Sequence, residues 1–562
     1  MHLVTKVLSP LEKVFYTDSL TRFKTYKTST ALIGELAAFE VAYYADEYAE
    51  NSYQAYDCLA AVQLYCNGKE IDFSCAVLSA VEHMPSVYAG VSEKDPDDYI
   101  KSEPGLYPDM LVPLTKDKTF TILPRLTGTL WVSIDTENLE GGNYTAVVTI
   151  TDENRVTVAA VEHKIKIIPA RLPKQKIAVT QWIHTDCIAD YYNIEVFSKD
   201  YWTAVRNTVK TAVKYGTNMI YTPLFTPPLD TNPGKERTTV QLVDVHKTAD
   251  GYSFGFDKLR KWVDICRECG AEYFEMSHLF TQWGARHAPK IMADEKQLFG
   301  WDTDADGDEY KNFLSQFLPE LCSEIKHLGI ADKTVFHISD EPAPKHLESY
   351  RAASKTMHGY IGDFKVMDAM SEPIFYEEGL VDIPVPHVVH ENKFAELRLN
   401  PHWIYYCGSN KNCMGRTFGM HSTRNRISGT QFYICGADGF LHWGFNFYNA
   451  ARSVRRIDPF AVTDAGMKFV SGDSFMVYPA PNFEMYNSIR LEVFRQGIDD
   501  MRALQLCESL YSREIVESVL TEVNGGEQVT LRKIPKDTDF TLKMRKKINK
   551  MIAKEINGRK NV

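Results

Sequence analysis

The sequence lacks several features that would assign it to other classes of protein. It contains no stretch of about 18 consecutive apolar residues, so no membrane-spanning helix is expected. It contains no P-loop and no dinucleotide-binding glycine pattern, and no His-Glu-x-x-His motif or repeated His/Cys spacing that would indicate a catalytic metal. The chemistry is therefore expected to require no cofactor and no metal ion.

Features of exported proteins are also missing. The N-terminal residues contain no apolar segment of signal-peptide length, and the 11 cysteines show no regularly spaced framework. A secreted protein stabilised by disulfides is thereby disfavoured, because such chains space their cysteines for pairing. The expected location is the cytoplasm, with reduced thiols.

Basic residues are in deficit. The 63 Lys and Arg residues are outnumbered by 74 Asp and Glu residues, which gives a net charge of −11. Without a clustered basic surface, nucleic acid is not an expected partner. The composition is otherwise that of a globular protein, with 44% hydrophobic residues in a chain of 562. The sequence leaves open whether the chain forms a homo-oligomer.

Residues 1–172 are predicted to form an N-terminal β-sandwich domain. Two segments of alternating apolar residues, 130–135 and 144–150, flank the turn Gly141-Gly142-Asn143, a pattern typical of a β-hairpin. A further strand is expected at 156–168. Strands at this spacing are typical of sandwich domains.

Residues 173–486 show short apolar strands alternating with helical segments, several of which end in glycine. Eight βα units over roughly 300 residues predict a (β/α)8 TIM-like catalytic barrel. The expected strands are 177–184, 218–224, 271–279, 334–341, 364–371, 385–390, 402–409 and 438–448. Residues 487–562 are predicted to form a C-terminal helical extension packed on the barrel.

The active site of such a barrel lies at the carboxyl ends of its strands. Carboxylates and flat aromatic side chains follow several of these strands, and a sugar-cleaving site requires both. The candidate substrate-binding residues are His184, Glu275, His278, Trp283, Asp368, Tyr405, Tyr406, His442, Trp443 and Asn446. The candidate catalytic residues are Asp340 and Glu341, which end the fourth strand just before Pro342.

The adjacency of Asp340 and Glu341 limits the mechanism. Alternation along the strand places His337, Ser339 and Glu341 on the interior face, so that Asp340 needs strand twist to reach the mouth. Two acids on one strand cannot easily flank a glycosidic bond, as the acid and nucleophile of an ordinary retaining glycosidase do. They can serve a substrate-assisted reaction, in which the 2-acetamido oxygen of the sugar attacks the anomeric carbon. Glu341 would then be the acid and base, and Asp340 would accept the acetamido N–H.

The sequence resembles glycoside hydrolase family 123, the β-N-acetylgalactosaminidases. The resemblance depends on Ser339-Asp340-Glu341-Pro342 and on the segments 439–446 (GFLHWGFN) and 488–500 (SIRLEVFRQGIDD), and it extends over nearly the whole chain. It implies a retaining exo-hydrolase that releases terminal β-linked N-acetylgalactosamine (GalNAc) from glycans such as glycosphingolipid oligosaccharides. It also implies a substrate-assisted pair with an oxazolinium intermediate, placed here on Asp340 and Glu341. The charged residues of 488–500 are expected to form structural pairs.

Two other hypotheses remain open. A conventional retaining glycosidase would use Glu341 as the acid and Glu275, from the third strand, as the nucleophile, and would accept sugars without an acetamido group. A non-catalytic glycan-binding protein would use the barrel mouth for recognition only. Hydrolysis of a GalNAc glycoside, without hydrolysis of the glucose analogue, would separate the three hypotheses.

Overall fold

The computed structural model describes residues 3–45, 55–71, 73–91, 99–115, 117–408, 410 and 412–560. Internal contacts divide the chain into two units. The first unit comprises residues 1–175, 409–435 and 486–562, and the second comprises residues 176–408 and 436–485. The sequence predicted three consecutive domains instead, because local patterns do not reveal that the chain returns twice to its first unit.

The first unit opens with strands that form two sheets. Their bounds are β1 Leu3–Leu8, β2 Thr28–Ile33, β3 Leu36–Ala45, β4 Tyr56–Cys66, β5 Lys69–Glu70, β6 Ala76–Ser86, β7 Gly105–Pro113, β8 Phe120–Ile122, β9 Thr127–Asp135, β10 Gly142–Thr151 and β11 Thr157–Arg171. One sheet has the order β1-β3-β9-β6-β7, and the other has the order β2-β11-β10-β4-β5, with β8 paired to β4. Phe39 and Leu130 of the first sheet share one hydrophobic core with Leu64 and Val148 of the second. The sheet-rich N-terminal region is confirmed.

The predicted hairpin around Gly141 is wrong, although both of its strands exist. Strand β9 pairs with β3 and β6, whereas β10 pairs with β11 and β4 in the other sheet. Eight of the nine residues of β9 are buried, whereas burial in β10 alternates. The alternation rule detects strands, but it does not identify their partners. The loop between β9 and β10 is held by Thr136, whose hydroxyl donates to the carbonyl of Leu32 at 2.7 Å.

The second unit contains eight parallel strands in a nearly closed barrel. Its strands are β12 Ala178–Gln181, β13 Met219–Thr222, β14 Asp244–Lys247, β15 Tyr252–Gly255, β16 Tyr273–Met276, β17 Ile291–Ala293, β18 Lys296–Phe299, β19 Thr334–Phe336, β20 Lys365–Met370, β21 Ile383–Pro386, β22 Trp403–Tyr405, β23 Gly439–His442 and β24 Tyr478–Pro479. The barrel order is β21-β20-β19-β16-β13-β12-β23-β22. Its two edge strands meet where the amide of Val388 donates to the carbonyl of Tyr405 at 2.9 Å. The hairpins β14–β15 and β17–β18 extend from the loops.

The helices of the second unit depart from an ideal eightfold repeat. They are α1 Thr185–Tyr192, α2 Lys199–Lys214, α3 Asp257–Glu268, α4 Asp308–His327, α5 Leu347–Ile361 and the single turn α6 Ile374–Glu377. Between β21 and β22 the described chain forms a 3-10 helix, Glu391–Leu397. After β22 it enters the first unit before returning as β23. The parallel barrel predicted from the sequence is therefore present without the full helical layer.

The later segments of the first unit are mainly helical. They are α7 Thr423–Cys435, β25 Met485–Ser488, α8 Ile489–Leu510, α9 Arg513–Val523 and α10 Phe540–Lys560. Strand β25 pairs with β7, and α8 contacts β3 and β7, which explains why this region groups with the N-terminal sheets. The charged residues of 488–500 make buried pairs, since Arg490 binds Asp109 at 2.7 Å and Asp500 binds Arg426 at 2.8 Å. None of the helices in the described ranges is both long and apolar enough to cross a membrane.

Candidate active site

The two candidate acids lie in a turn beyond the fourth barrel strand. Strand β19 ends at Phe336, five residues earlier than predicted, and Glu341 adopts a left-handed backbone with φ of 45°. The amide of Glu341 donates to the carbonyl of Ala369 at 3.2 Å, which keeps the turn against the fifth strand. Strand alternation therefore does not apply to Asp340 and Glu341, and both are partly exposed.

Glu341 is tied to the seventh strand. The hydroxyl of Tyr405, a buried residue at the end of β22, donates to Glu341 Oε1 at 2.6 Å. Burial, followed by the charge of Glu341, raises the pKa of Tyr405 well above its usual range. Tyr405 therefore stays a neutral hydrogen-bond donor that fixes one carboxylate oxygen of Glu341, leaving the other oxygen for a reacting group.

Asp340 has a different electrostatic environment. Burial, followed by the charges of Glu341 and Asp368, raises the pKa of Asp340 well above its usual range. No side chain of the described residues forms a hydrogen bond or ion pair with its carboxyl group. The adjacent acids thus hold one negative charge more readily than two, which is the electrostatic condition for sharing acid and base roles.

A buried hydrogen-bond network lies in the barrel interior. His337 connects two carboxylates, with Nε2 2.7 Å from Glu275 Oε1 and Nδ1 2.9 Å from Asp368 Oδ1. Burial alone would lower the pKa of His337, but these two carboxylates outweigh it and raise the pKa to about 9. Asp368 also accepts the hydroxyl of Tyr350 at 2.6 Å. At neutral pH the network therefore contains an imidazolium held between two acids.

His278 packs on this imidazolium. The two rings are stacked at 4.3 Å, and the hydroxyl of Tyr221 lies 3.0 Å from His278 Nδ1. Burial, followed by the charge of His337, holds the pKa of His278 well below its usual range, so His278 is neutral. The ligand atoms of His278, His337 and Asp368 lie within 4.8 Å of one another and could together hold a metal ion. Protonation of His337 favours the hydrogen-bonded network, because an imidazolium cannot be a ligand.

Glu275 does not fit the role of nucleophile. It is fully buried, and its carboxylate accepts hydrogen bonds from Thr180 at 2.6 Å, from the indole of Trp182 at 2.7 Å and from His337. An attacking carboxylate needs a free oxygen that faces the sugar. These contacts argue against the conventional double-displacement hypothesis and favour a supporting role for Glu275.

Two predicted residues, His184 and Asn446, bind each other. The amide of His184 donates to Asn446 Oδ1 at 2.8 Å, and Asn446 Nδ2 donates to the carbonyl of His184 at 3.0 Å. Nδ1 of His184 accepts a hydrogen bond from the guanidinium of Arg237 at 3.0 Å. Arg237 also forms a buried bidentate ion pair with Asp186. Their polar groups are thus engaged within the fold. Arg237, which lies in a loop, has no local sequence signal that would have revealed this contact.

The eighth strand and the segment after it form one wall of the mouth. The carboxylate of Asp473 accepts three hydrogen bonds, from Nε2 of His442 at 3.3 Å, from Nε1 of Trp443 at 3.1 Å and from the amide of Gly408 at 2.9 Å. Trp443 is half-buried, whereas the ring of Tyr406 packs edge-on against His442 inside the barrel. Asp473 was not a candidate, because it lies 30 residues beyond Trp443 and outside every predicted strand.

Trp283 occupies the rim of the mouth. Its side chain is 42% exposed, and its amide donates to the carbonyl of Asp340 at 3.2 Å. Ten of the twelve predicted residues separate into three groups. Asp340 and Glu341 lie in the mouth with Tyr405, Trp443 and Trp283 around them, Glu275, His278 and Asp368 lie beneath, and His184 with Asn446 joins the first strand to the eighth.

The chain is similar to known proteins of one family. The family model described as glycoside hydrolase 123, catalytic domain, matches residues 182–507. Among solved structures, a family 123 glycoside hydrolase from Clostridium perfringens, studied for glycolipid glycan hydrolysis, is 16% identical, with a TM-score of 0.76 over 99% of this chain and 100% of that chain. None of the curated proteins matches the sequence.

Two other solved structures are more distant. A GH10 xylanase from termite gut with a bacterial Ig-like domain is 9% identical, with a TM-score of 0.33 over 85% of this chain and 100% of that chain. A β-D-glucuronidase from Dictyoglomus thermophilum is 8% identical, with a TM-score of 0.33 over 88% of this chain and 97% of that chain.

Proposed function

The chain belongs to glycoside hydrolase family 123, and from this premise we propose that it releases terminal β-linked GalNAc from glycans with retention of configuration. The observation that carries the proposal is the pair Asp340 and Glu341, adjacent at the carboxyl end of the fourth barrel strand. The solved family 123 enzyme from C. perfringens was studied for glycolipid glycan hydrolysis, and this supports glycosphingolipid-type oligosaccharides as the substrate class.

The proposed reaction uses the acetamido group of the sugar as the nucleophile. Protonated Glu341 gives its proton to the glycosidic oxygen while the acetamido oxygen attacks the anomeric carbon, which breaks the glycosidic bond and forms an oxazolinium ring. The carboxylate of Glu341 then takes a proton from water as that water attacks the same carbon. The ring opens, and the sugar leaves with its original anomeric configuration.

Asp340 would hold the acetamido group in the attacking position. In the empty site the raised pKa belongs to Asp340. An acetamido N–H that donates to Asp340 favours its ionised form. Substrate binding would therefore favour a charged Asp340 beside the acetamido group. Ionised Asp340 also stabilises the positive charge that develops on the oxazolinium ring.

The surrounding residues support this assignment. Tyr405 would orient Glu341, and the half-buried ring of Trp443, held by Asp473, would face the apolar side of the terminal sugar. Glu275, His278 and Asp368 would support the mouth from beneath rather than touch the substrate. The conventional mechanism lacks a free nucleophile, since three hydrogen bonds engage the carboxylate of Glu275.

The test is hydrolysis of an aryl β-GalNAc by the wild type, Asp340→Asn and Glu341→Gln. The proposal requires wild-type turnover, loss of at least about 100-fold in kcat in both variants, and no turnover of the matching aryl β-galactoside, which has a hydroxyl in place of the acetamido group. GalNAc-thiazoline, which mimics the oxazolinium ring, should inhibit tightly. Near-normal turnover by Asp340→Asn, or lack of inhibition by the thiazoline, would overturn the substrate-assisted mechanism.

A further inference from the structure

The catalytic pair follows a segment that has left the barrel sheet. The parallel pairing of β19 with β20 ends at Phe336, opposite Val366, and residues 337–341 continue outside the strand. In an extended strand the side chains of Asp340 and Glu341 would point to opposite faces of the sheet. The two acids can therefore act on one sugar only if the chain leaves the extended conformation before it reaches them.

The carboxylate of Asp368, on β20, binds this segment just beyond the end of the pairing. The amide of Ile338 donates to both of its oxygens at 3.2 Å, and the amide of Ser339 donates to Oδ2 at 3.1 Å. Successive amides of an extended strand point to opposite sides, whereas successive amides of a turn can converge on one anion. The shared carboxylate therefore marks the place where the chain turns, immediately before Asp340.

Asp368 is surrounded by hydrogen-bond donors. Besides the two amides, it accepts Nδ1 of His337 at 2.9 Å and the hydroxyl of Tyr350 at 2.6 Å, and its side chain is fully buried. A carboxylate offers about four acceptor positions, so the two amides, the imidazole and the phenol occupy all of them. Asparagine, although of the same size, would offer one oxygen and would turn an NH2 group towards donors. The site thus requires a carboxylate.

The loop after the third barrel strand holds the other side of the segment. The hydroxyl of Ser339 donates to the carbonyl of Thr281 at 2.8 Å, and the amide of Phe280 donates to the carbonyl of Ile338 at 3.1 Å. The loop contributes main-chain groups to these contacts, whereas the amides of Ile338 and Ser339 both depend on one side chain. Loss of the Asp368 carboxylate would therefore release one side of the segment that carries both acids.

We propose that Asp368 is the positioning residue of the catalytic pair, because its hold on the amides of Ile338 and Ser339 turns the chain so that Asp340 and Glu341 reach the same sugar. This inference rests on the proposed function. Asp368 acts through the main chain and does not touch the substrate. Its loss should therefore impair the proton transfer by Glu341, which needs accurate placement of the carboxyl group.

The experiment uses two substrates that differ in their need for a proton. Phenyl β-GalNAc has a poor leaving group that Glu341 must protonate, whereas the leaving group of 2,4-dinitrophenyl β-GalNAc departs as an anion. The value of kcat/KM is measured on both substrates with one preparation each of wild type, Asp368→Asn, Tyr350→Phe and Glu341→Gln. The ratio of the two values does not depend on the folded fraction of a variant, so it separates a positioning role from a merely structural one.

Asp382→Asn is the matched control. Asp382 also accepts a main-chain amide, from Val366 at 2.9 Å, and it lies 3.1 Å from Nε2 of His358. It precedes β21, and Val366 is the second residue of β20, so these contacts lie at the end of the barrel opposite the mouth. The variant should keep the wild-type ratio.

Asp368→Asn should lower kcat/KM on the order of 100-fold for the phenyl glycoside and only about tenfold for the dinitrophenyl glycoside, because the better leaving group needs the displaced acid less. Tyr350→Phe keeps the carboxylate and removes one donor, so it should move the ratio in the same direction by roughly twofold. It decides the question if Asp368→Asn does not fold.

Equal losses on the two substrates would overturn the inference, since Asp368 would then serve the fold alone. A wild-type ratio in Tyr350→Phe as well as in Asp368→Asn would have the same meaning. A wild type inactive on both substrates, or a wild-type ratio in Glu341→Gln, would overturn the proposed function instead.

Discussion

The hydroxyl of Tyr405 lies 2.6 Å from Oε1 of Glu341 and joins the seventh barrel strand to the turn after the fourth. A buried neutral phenol in this position holds the carboxylate without giving it a proton. The bond therefore fixes one carboxylate oxygen of Glu341, and in the proposed reaction the other oxygen gives and takes protons.

Tyr405→Phe should lower kcat roughly 10- to 100-fold with little change in KM, because a hydrogen bond to a charged group contributes about 1.5–3 kcal/mol. Steady-state kinetics on an aryl β-GalNAc would measure this. Tyr310→Phe is the matched control, since it removes a buried hydroxyl that donates to the carbonyl of Leu279, in the loop after the third strand, and does not contact Glu341. An unchanged kcat in Tyr405→Phe would remove Tyr405 from the reaction.

His337 should make stability depend on pH. Its pKa is about 9 in the folded protein and about 6.5 in an unfolded chain, so the folded state binds the proton more tightly. The resulting stabilisation is fully present below pH 6.5 and is lost as the pH rises through 9. The Tm of wild type should therefore exceed that of His337→Gln most at pH 6, and the difference should shrink towards pH 10.

The control for this measurement is Gln297→Ala, at an exposed position on β18. Its Tm difference from wild type should stay nearly constant across the same range, because neither side chain titrates. A constant difference for His337→Gln as well would show that the charge on His337 does not stabilise the fold.

Glu40 should be a destabilising residue at neutral pH. It is 1% exposed, and neither carboxylate oxygen has a hydrogen-bond partner among the described residues. Burial, followed by the charge of Glu12, raises the pKa of Glu40 well above its usual range. The folded state therefore binds the Glu40 proton more tightly than the unfolded chain does. The free energy of unfolding then falls as the pH rises above the pKa of Glu40 in the unfolded chain. Glu40→Met should raise Tm by a few degrees at pH 7, and by less at pH 4.

Glu35 provides the opposite case. It is also buried, but it forms an ion pair with Arg545. Glu35→Met should lower stability by about 3 kcal/mol or more, because it leaves a buried guanidinium without one of its partners. Thermal unfolding of the two variants at pH 7 would compare them, and shifts of the same sign would contradict the assignment of Glu40 as unpaired.

Helices α7 and α8 meet at a pair of glycines. A Cβ atom at Gly429 would overlap the carbonyl oxygen of Gly497, and neither backbone can move without separating the helices. Gly429→Ala should destabilise the protein by about 3 kcal/mol or more. Gly359→Ala, in α5, meets nothing within 4 Å and should stabilise by about 0.5–1 kcal/mol. Chemical denaturation of both variants would measure the contrast, and equal effects would refute the close approach.

The barrel strands were largely predictable from the sequence. Seven of the eight expected segments contain an observed strand, and the sixth, 385–390, overlaps β21 by two residues. These strands are short, apolar and buried, so local composition identifies them. The catalytic candidates were found because strand ends define the mouth of a barrel. The turn at Glu341 was not predicted. The left-handed backbone conformation of this residue is imposed by its surroundings, because a glutamate does not favour it.

Contacts between residues far apart in the sequence could not be predicted from local sequence patterns. Asp473 meets Trp443 across 30 residues, and Arg237 meets Asp186 across 51. Strand β9 pairs with β3 and β6, and the alternation of apolar residues along a strand does not show which strands will pair with it. Periodicity reflects one face of one element, whereas these pairings follow from the tertiary fold as a whole.

The three-part make-up of the first unit has a consequence for synthesis on the ribosome. Strand β7 pairs with β25, which follows it by about 370 residues, and every residue of α7 from Thr423 to Tyr433 is buried. At roughly 5–20 residues per second, β7 waits about 20–75 s for this partner. The barrel can close during that interval, but the sheets that began the chain are completed last. A protein truncated before β25 would leave both β7 and α7 without their partners, and we expect it to aggregate rather than yield a working barrel.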